Sequence, residues 1–551
     1  MKNQKTLKIF LFGLLIALMT TSFPNNGHTQ PSVNGNSEKL GQVSFLITCE
    51  GEAQKQFKRA LAMLHSFWYT EARTAFEEVT QTDPECSMGY WGIAMTYNHP
   101  LWEPPSTDDL EKGSAAIKMA RSVGKNTERE WLYIAALETF YKKMDRVDHE
   151  TRAEDYSQAM KRVYERYHDD QEAAIFYALS LLGTTSPNDK TYKMQRRAGE
   201  ILERILEDQP NHPGVAHYII HSYDYPELAH RAEKAAQIYS NIAPSVPHVL
   251  HMPSHIFTRL GLWDESIQSN LASSQAAKRF AEKKNPGGIS FEDLHALDYL
   301  MYAYLQKGED QKARDILKEI QSVKEVQTVN LASAYALSAI PARYAIERRS
   351  WGEASDLLLH PSQFPWEQYP WTEATVVFTR AIGNARGGNL AKAKKNVKRL
   401  QELQNETKKV KKKYWVNQIE IQRLTASAWV VFAEGDHDQG LKLMQLAVSL
   451  ESKTEKSPVT PGPILPASEL LGEMLLALDQ PDKALMAFES ALESSPNRFN
   501  GLYGAAKAAE QSGKMDEAMG YYSKLVEICR NSNGDRAELK EAKTFLKKLK
   551  K

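Results

Sequence analysis

The 551-residue sequence has only three cysteines, no net charge and no apolar run long enough to cross a bilayer. Each absence excludes something. Three cysteines cannot all pair within one chain, so a disulfide-dense scaffold is ruled out. Cys49 and Cys86 flank the first expected helical hairpin. They are either bridged, as an oxidising compartment would allow, or two separate small buried residues. Cys529 sits among apolar residues and reads as inert packing. The 69 basic residues are matched by 69 acidic ones, which argues against nucleic acid, because phosphate binding draws its affinity from an excess of Lys and Arg. No GxSxG, Walker-type loop or Rossmann glycine run appears, so the usual nucleophilic hydrolases and nucleotide enzymes lack support.

What is present begins with "MKNQKTLKIFLFGLLIALMTTSF", residues 1–23. Lys2, Lys5 and Lys8 precede an apolar run from Ile9 to Met19 and then small residues, the pattern of a secretory signal peptide. Residues 24–40, rich in Asn, Gly, Ser and Pro, read as a flexible leader. The expectation is an exported protein, periplasmic or secreted, with no membrane span in the mature chain.

Internal repetition is the strongest signal. In "LPASELLGEMLLALDQPDKALMAFESALESSPN", Leu471, Gly472 and Leu475 lie in a first helix and Ala484, Phe488, Ala491 and Pro496 in and after a second. Ala518, Tyr522 and Leu525 recur 34 residues later. This resembles the tetratricopeptide repeat, a helix–turn–helix unit of 34 residues. Further turns fall at Gly261, Gly308, Trp351, Gly388 and Gly435, and "FWYTEARTAFEEVTQTDPE" adds Ala72, Phe76 and Val79. The expected fold is therefore all-α, a tetratricopeptide-like solenoid of helical hairpins wound as a right-handed superhelix. Residues 41–452 form a degenerate array, and 453–466, "KTEKSPVTPGPILP", form a proline-rich loop that cannot be helical. Residues 467–551 form a terminal repeat pair with a capping helix.

The phrases "LHSFWYTEARTAFEEV", "DPECSMGYWGIAM", "HVLHMPSHIFTRLGLW" and "HALDYLMYAYLQKG" are similar to a large family of exported bacterial tetratricopeptide proteins, mostly without an assigned activity. The resemblance implies a secreted or periplasmic solenoid and a role in polysaccharide utilisation. It also implies that the first helix of each unit lines the concave surface, with its second, fifth and ninth residues facing the groove. Those columns hold His248, His251 and His255 in the unit from Pro247. They hold His295, Asp298 and Tyr302 in the unit from Leu294, and Pro466, Glu469 and Glu473 in the unit from Leu465.

Six histidines (217, 221, 230, 248, 251 and 255) fall within 39 residues, where the chain average predicts about one. Neighbouring helices pack at roughly 8 to 10 Å, so imidazoles from adjacent units can converge. The candidate metal ligands are His217, His221, His251 and His255, with His248, His295 or Asp298 beside them, and Asp224 and Asp298 as carboxylates able to orient a ring. The donor set suits Zn, Cu, Fe or Mn. Against this stands a metal-free groove that uses its histidines for hydrogen bonds or stacking. "HxxHxxxH" lacks the Glu of HExxH, and Pro253, if it starts a helix, moves His248 and His251 into the preceding turn.

Prolines at 361, 365 and 370 break the helix pattern around Trp366 and Trp371. With Tyr302, Glu469 and Glu473, these two tryptophans are candidate groove residues for a ligand, although aromatics at such spacing usually fill hairpin cores. The reading is a binding or scaffold protein for an envelope protein, peptide or glycan, with a histidine-rich metal site. The alternative is a metal-dependent hydrolase or oxidase built on the same histidines.

Overall fold

In the computed structural model, the described residues are 38–549 without 102–103, 143, 187–188, 285–286 and 533–534. The expected signal peptide and most of the leader lie outside them. The described residues carry twenty-six α-helices and two short 3-10 helices. The architecture is the expected one, all-α hairpins in a tetratricopeptide-like superhelix, and residues 39–551 make one compact unit. No described helix is long and apolar enough to cross a membrane.

Local chemistry sets the hairpins. Thr127 and Glu130 form a reciprocal capping box at the start of Glu128–Tyr141, and Ser290 caps Phe291–Gln306 through the Asp293 amide. The turn glycines expected at 261, 308, 388 and 435 all have positive φ, the conformation that an L side chain resists. Gly261 is doubly constrained, since a Cβ there would meet the Pro496 carbonyl oxygen at 2.6 Å. The repeat positions Ala484, Phe488, Ala491, Ala518, Tyr522 and Leu525 are all buried between helices.

Cys49 and Cys86 are joined by a disulfide, which decides between the two readings left open by the sequence. Cys529 is buried, and burial pushes its thiol up to about 12.

A one-dimensional solenoid would bury each unit only against its neighbours, but this chain does more. The terminal repeats close onto its middle: the Trp263 indole N–H donates to the Asn497 carbonyl at 2.9 Å, and the Phe499 amide donates to Gln306 Oε1 at 2.9 Å. Arg498, fully buried, bonds the Tyr302 hydroxyl, Glu347 and Glu469.

The proline-rich segment between helices His437–Glu451 and Ala467–Ala477 bridges earlier and later helices as a crossbar. Tyr192 donates to Glu455, and Lys456 donates to Asp224 at 2.8 Å. Arg343 donates to the Thr460 hydroxyl and to the carbonyls of Gly462 and Pro463. Tyr299 and Tyr335 bond Thr460 as well.

The terminal repeats, neighbouring arginines and local turns hold the residues expected in the groove. Tyr302 and Glu469 are buried under Arg498, and Glu473 is held between Arg349 and Arg386. Trp366 and Trp371 are also buried; the Trp366 N–H donates to the Pro361 carbonyl inside its own turn. Tyr302 and Trp371 still edge clefts beside the crossbar. Pro361 and Pro365 keep the segment before Trp366 irregular as expected, but Pro370 starts the helix Pro370–Arg386 that carries Trp371, and both tryptophan rings pack inward, where their apolar area leaves water.

A candidate metal centre of six histidines

Three helical segments bring the histidines together. Pro213–Tyr223 presents His217 and His221 one turn apart. Pro247 and Pro253 each start a helix, giving Pro247–His251 and Pro253–Arg259 with Met252 still in right-handed helical backbone between them. The proline at 253 therefore bends the segment without unwinding it, and His248 and His251 stay helical. Phe291–Gln306 contributes His295.

The four histidines expected to share one ion do not form a single set. They divide into two triads: His217, His221 and His248, and His251, His255 and His295. Within each triad the ligand-capable atoms all lie within 4.8 Å of one another. The helix explains the division. His251 and His255 are four residues apart and point the same way, whereas His248, a turn earlier and rotated by about 60° from His251, reaches across to His217.

In the first triad, His217 Nε2 is 3.1 Å from His221 Nε2 and 3.2 Å from His248 Nε2. In the second, His251 Nε2 and His255 Nε2 are 3.0 Å apart. The proton positions follow from the partners of the opposite ring nitrogens. His217 Nδ1 lies 2.7 Å from the backbone oxygen of His65, which can only accept, so Nδ1 carries the hydrogen. His255 Nδ1 donates to Asp224 Oδ2 at 2.9 Å, and His251 Nδ1 to Asn270 Oδ1 at 2.7 Å. Asn270 cannot be turned around, because its own amide donates to the Ser266 carbonyl at 2.7 Å.

A neutral imidazole with a protonated Nδ1 has a bare lone pair on Nε2. Neutrality is favoured throughout the cluster. Burial, and then the neighbouring imidazoles, hold His217, His221, His248, His251 and His295 well below the ordinary histidine value. Burial also lowers His255, against the opposing pull of Asp224. Asp224 stays ionised despite its burial because Lys456 and Arg259 face it. In the first triad the bare Nε2 of His217 faces the Nε2 atoms of His221 and His248, either of which can hand it a hydrogen; in the second, the two bare lone pairs of His251 and His255 face one another 3.0 Å apart. That second contact repels unless a cation lies between the rings, and the spacing matches that of nitrogen ligands about 2.0 to 2.1 Å from a common ion.

A neighbouring cluster shows the contrast. His65, Glu172 and His212 are also close together, but there a carboxylate sits between the rings. Glu172 takes one imidazole on each oxygen at 3.0 Å, His65 Nδ1 bonds the Tyr218 hydroxyl, and His212 Nδ1 accepts the Gly214 amide. Every polar atom is paired and no ion is called for. This network fixes the His65 carbonyl that orients His217. The grouping of Cys49, Asp83 and Cys86 is likewise not a site, since its sulfurs are bonded to each other.

Asp298 does not join the histidines. It pairs with the buried Arg343 at 2.9 Å. Asp224 does what was expected of a carboxylate, orienting His255. The sequence gives little sign of three contributors: His65, read only as part of an aromatic-rich phrase; Asn270, a polar residue on a buried helix face; and Phe67. Phe67 has a φ of 55° and stacks over His221 and His248 with ring centres 5.5 and 5.9 Å away. His221 and His248 are half-buried, whereas the second triad is buried outright.

Comparison with known proteins agrees on the repeat. The tetratricopeptide repeat pattern matches residues 470–535. No curated protein sequence matches the chain. Similar solved structures include the Cut9 and Hcn1 hetero-tetramer of the APC/C, with 13% identity over 91% of this chain and 96% of that one at a TM-score of 0.27. Human IFIT1 with m7Gppp-AAAA shows 13% identity over 80% and 90% at a TM-score of 0.38. Yeast Tom70 shows 12% identity over 90% and 95% at a TM-score of 0.33.

Proposed function

We propose that this repeat protein is a binder of transition-metal ions, held by histidine triads on the inner face of its superhelix. The observation that carries this is the meeting of the bare His251 and His255 Nε2 lone pairs, their tautomers set by an amide oxygen and a carboxylate, with the His217 tautomer set likewise by a carbonyl. Such orienting partners are the normal supporting shell of a histidine metal site. The donors are all imidazole, which suits Zn, Cu, Fe or Ni.

We further propose export to an oxidising compartment. The Cys49–Cys86 disulfide supports it. A protein, peptide or glycan partner would meet the crossbar in the clefts it lines, since residues 455–463 are tied to Tyr192 and Arg343. A metal-dependent enzyme is the second reading, favoured by one feature: three donors per triad leave a coordination position free for water or substrate.

The test is metal analysis of the full chain, purified without a histidine tag. Stoichiometric metal of which the second triad's share is lost in the His251→Ala/His255→Ala variant, together with a fall in melting temperature on chelation, is the expected result. Metal-free protein that takes up no ion on loading, and melts the same with and without chelator, refutes the proposal.

A further inference from the structure

The two triads are not separate features. His221 and His255 have ring centres 6.3 Å apart, and His248 and His251 have ring centres 6.4 Å apart. The six rings therefore form one continuous group, with each triad touching the other along two edges. Paired ions in known two-metal sites lie about 3.5 to 4 Å apart. Rings on neighbouring ions at that separation stand at centre distances like those seen here.

We propose that the six histidines form a single dinuclear centre, one ion per triad, and that copper is the ion it is built for. This rests on the metal-binding reading above and extends it.

The charges around the cluster favour copper. Neither triad contains a carboxylate or thiolate, so all six donors are neutral. The one carboxylate bonded to a triad histidine, Asp224, is already shared by Arg259 and Lys456, with Glu455 beside Arg259, so these four charges cancel and leave none to offset an ion. A pair of divalent ions would be poorly compensated here. Repulsion between the ions scales with the product of their charges, so two monovalent ions repel about fourfold less than two divalent ones. Copper offers the monovalent state, tolerates three-coordination by imidazole, and as Cu(II) stands at the top of the divalent affinity order. In the divalent state the pair would need a bridging anion, and the position left free in each triad has room in the coordination shell for one. The Tyr299 ring lies 4.7 to 5.3 Å from His251, His255 and His295 and closes the buried end. Phe67 covers the half-buried end.

The experiment loads the tag-free full chain with Cu(II), desalts it, and combines copper analysis with electron paramagnetic resonance. The expected result is two copper ions per chain with integrated intensity well below two spins, with or without a half-field resonance. His221→Ala/His248→Ala is expected to keep one ion at full one-spin intensity. His295→Ala, on a different helix, is expected to weaken the other ion, and circular dichroism checks that each variant folds. Two ions at full two-spin intensity, without a half-field resonance, overturn the dinuclear centre. One ion per chain overturns the pair and leaves triad binding standing. No copper overturns this inference, and if zinc, iron and nickel also fail to bind, the metal-binding reading falls with it. Zinc that displaces copper in competition overturns the assignment of the ion.

Discussion

Asn270→Ala isolates the tautomer argument from the ligands themselves, since Asn270 touches no ion. Its amide N–H is committed to the Ser266 carbonyl, which leaves Oδ1 as the acceptor for His251 Nδ1 at 2.7 Å. Removing that acceptor leaves a buried N–H without a partner, at a cost of about 1 to 3 kcal/mol. The imidazole has an escape. It can carry its hydrogen on Nε2, where His255 Nε2 waits 3.0 Å away to accept it. The metal-free variant should therefore lose only about 1 kcal/mol, while the ion must now compete with that hydrogen. Loss of an orienting partner of this kind lowers metal affinity about 10- to 100-fold. The assay is a chelator competition titration, run beside urea melts of the metal-free protein. An affinity within about twofold of the parent, in a folded variant, would refute the reasoning and reduce Asn270 to packing.

Three other outcomes follow from the geometry. Arg498→Met strands the buried carboxylates of Glu347 and Glu469 and should cost about 3 to 5 kcal/mol in urea unfolding; a loss below 1 kcal/mol would show that those groups are not held by charge. Reducing the Cys49–Cys86 bond, which closes a separation of 37 residues, should destabilise the N-terminal hairpins by about 4 kcal/mol on chain-entropy grounds, read as an earlier unfolding step in dithiothreitol. Glu451 is pushed up to about 7 by burial, from an ordinary 4.5. The folded chain then holds a proton that the unfolded chain has released between those values, so stability falls as pH rises through that window. In chelated protein, Glu451→Gln should match the parent at pH 4 and be more stable by about 3 kcal/mol at pH 8; equal melting at both pH values would count against the buried, protonated carboxyl.

The repeat was legible because its signals are local. Turn glycines and the Ala and Phe positions of each hairpin act within a few residues, and Gly261, Gly308, Gly388 and Gly435 take the backbone their turns demand. The histidine columns were legible for the same reason: helical spacing alone places His251 above His255. How the rings divide between two triads was not, because it depends on a 31-residue return that brings His248 to His217. Nor was the fate of Tyr302, Glu469, Trp366 and Trp371. Their spacing is the same whether they are open or covered, and Arg498 reaches Tyr302 from 196 residues away while Trp371 stacks on Trp415. Asn270 and the His65 carbonyl carry no sequence signature, since orienting a ring asks only for an acceptor in the right place.

The crossbar has a mechanical consequence. An unbraced repeat array behaves as a coil spring, changing pitch at little cost because each turn grips only the next. Here Glu455 and Lys456 are tied to the early turns through Tyr192 and Asp224, while Thr460, Gly462 and Pro463 are tied to the later turns through Arg343. The spring is therefore locked at one extension. Pulled from its ends, it should give way in one abrupt rupture at the brace before any turn unwinds.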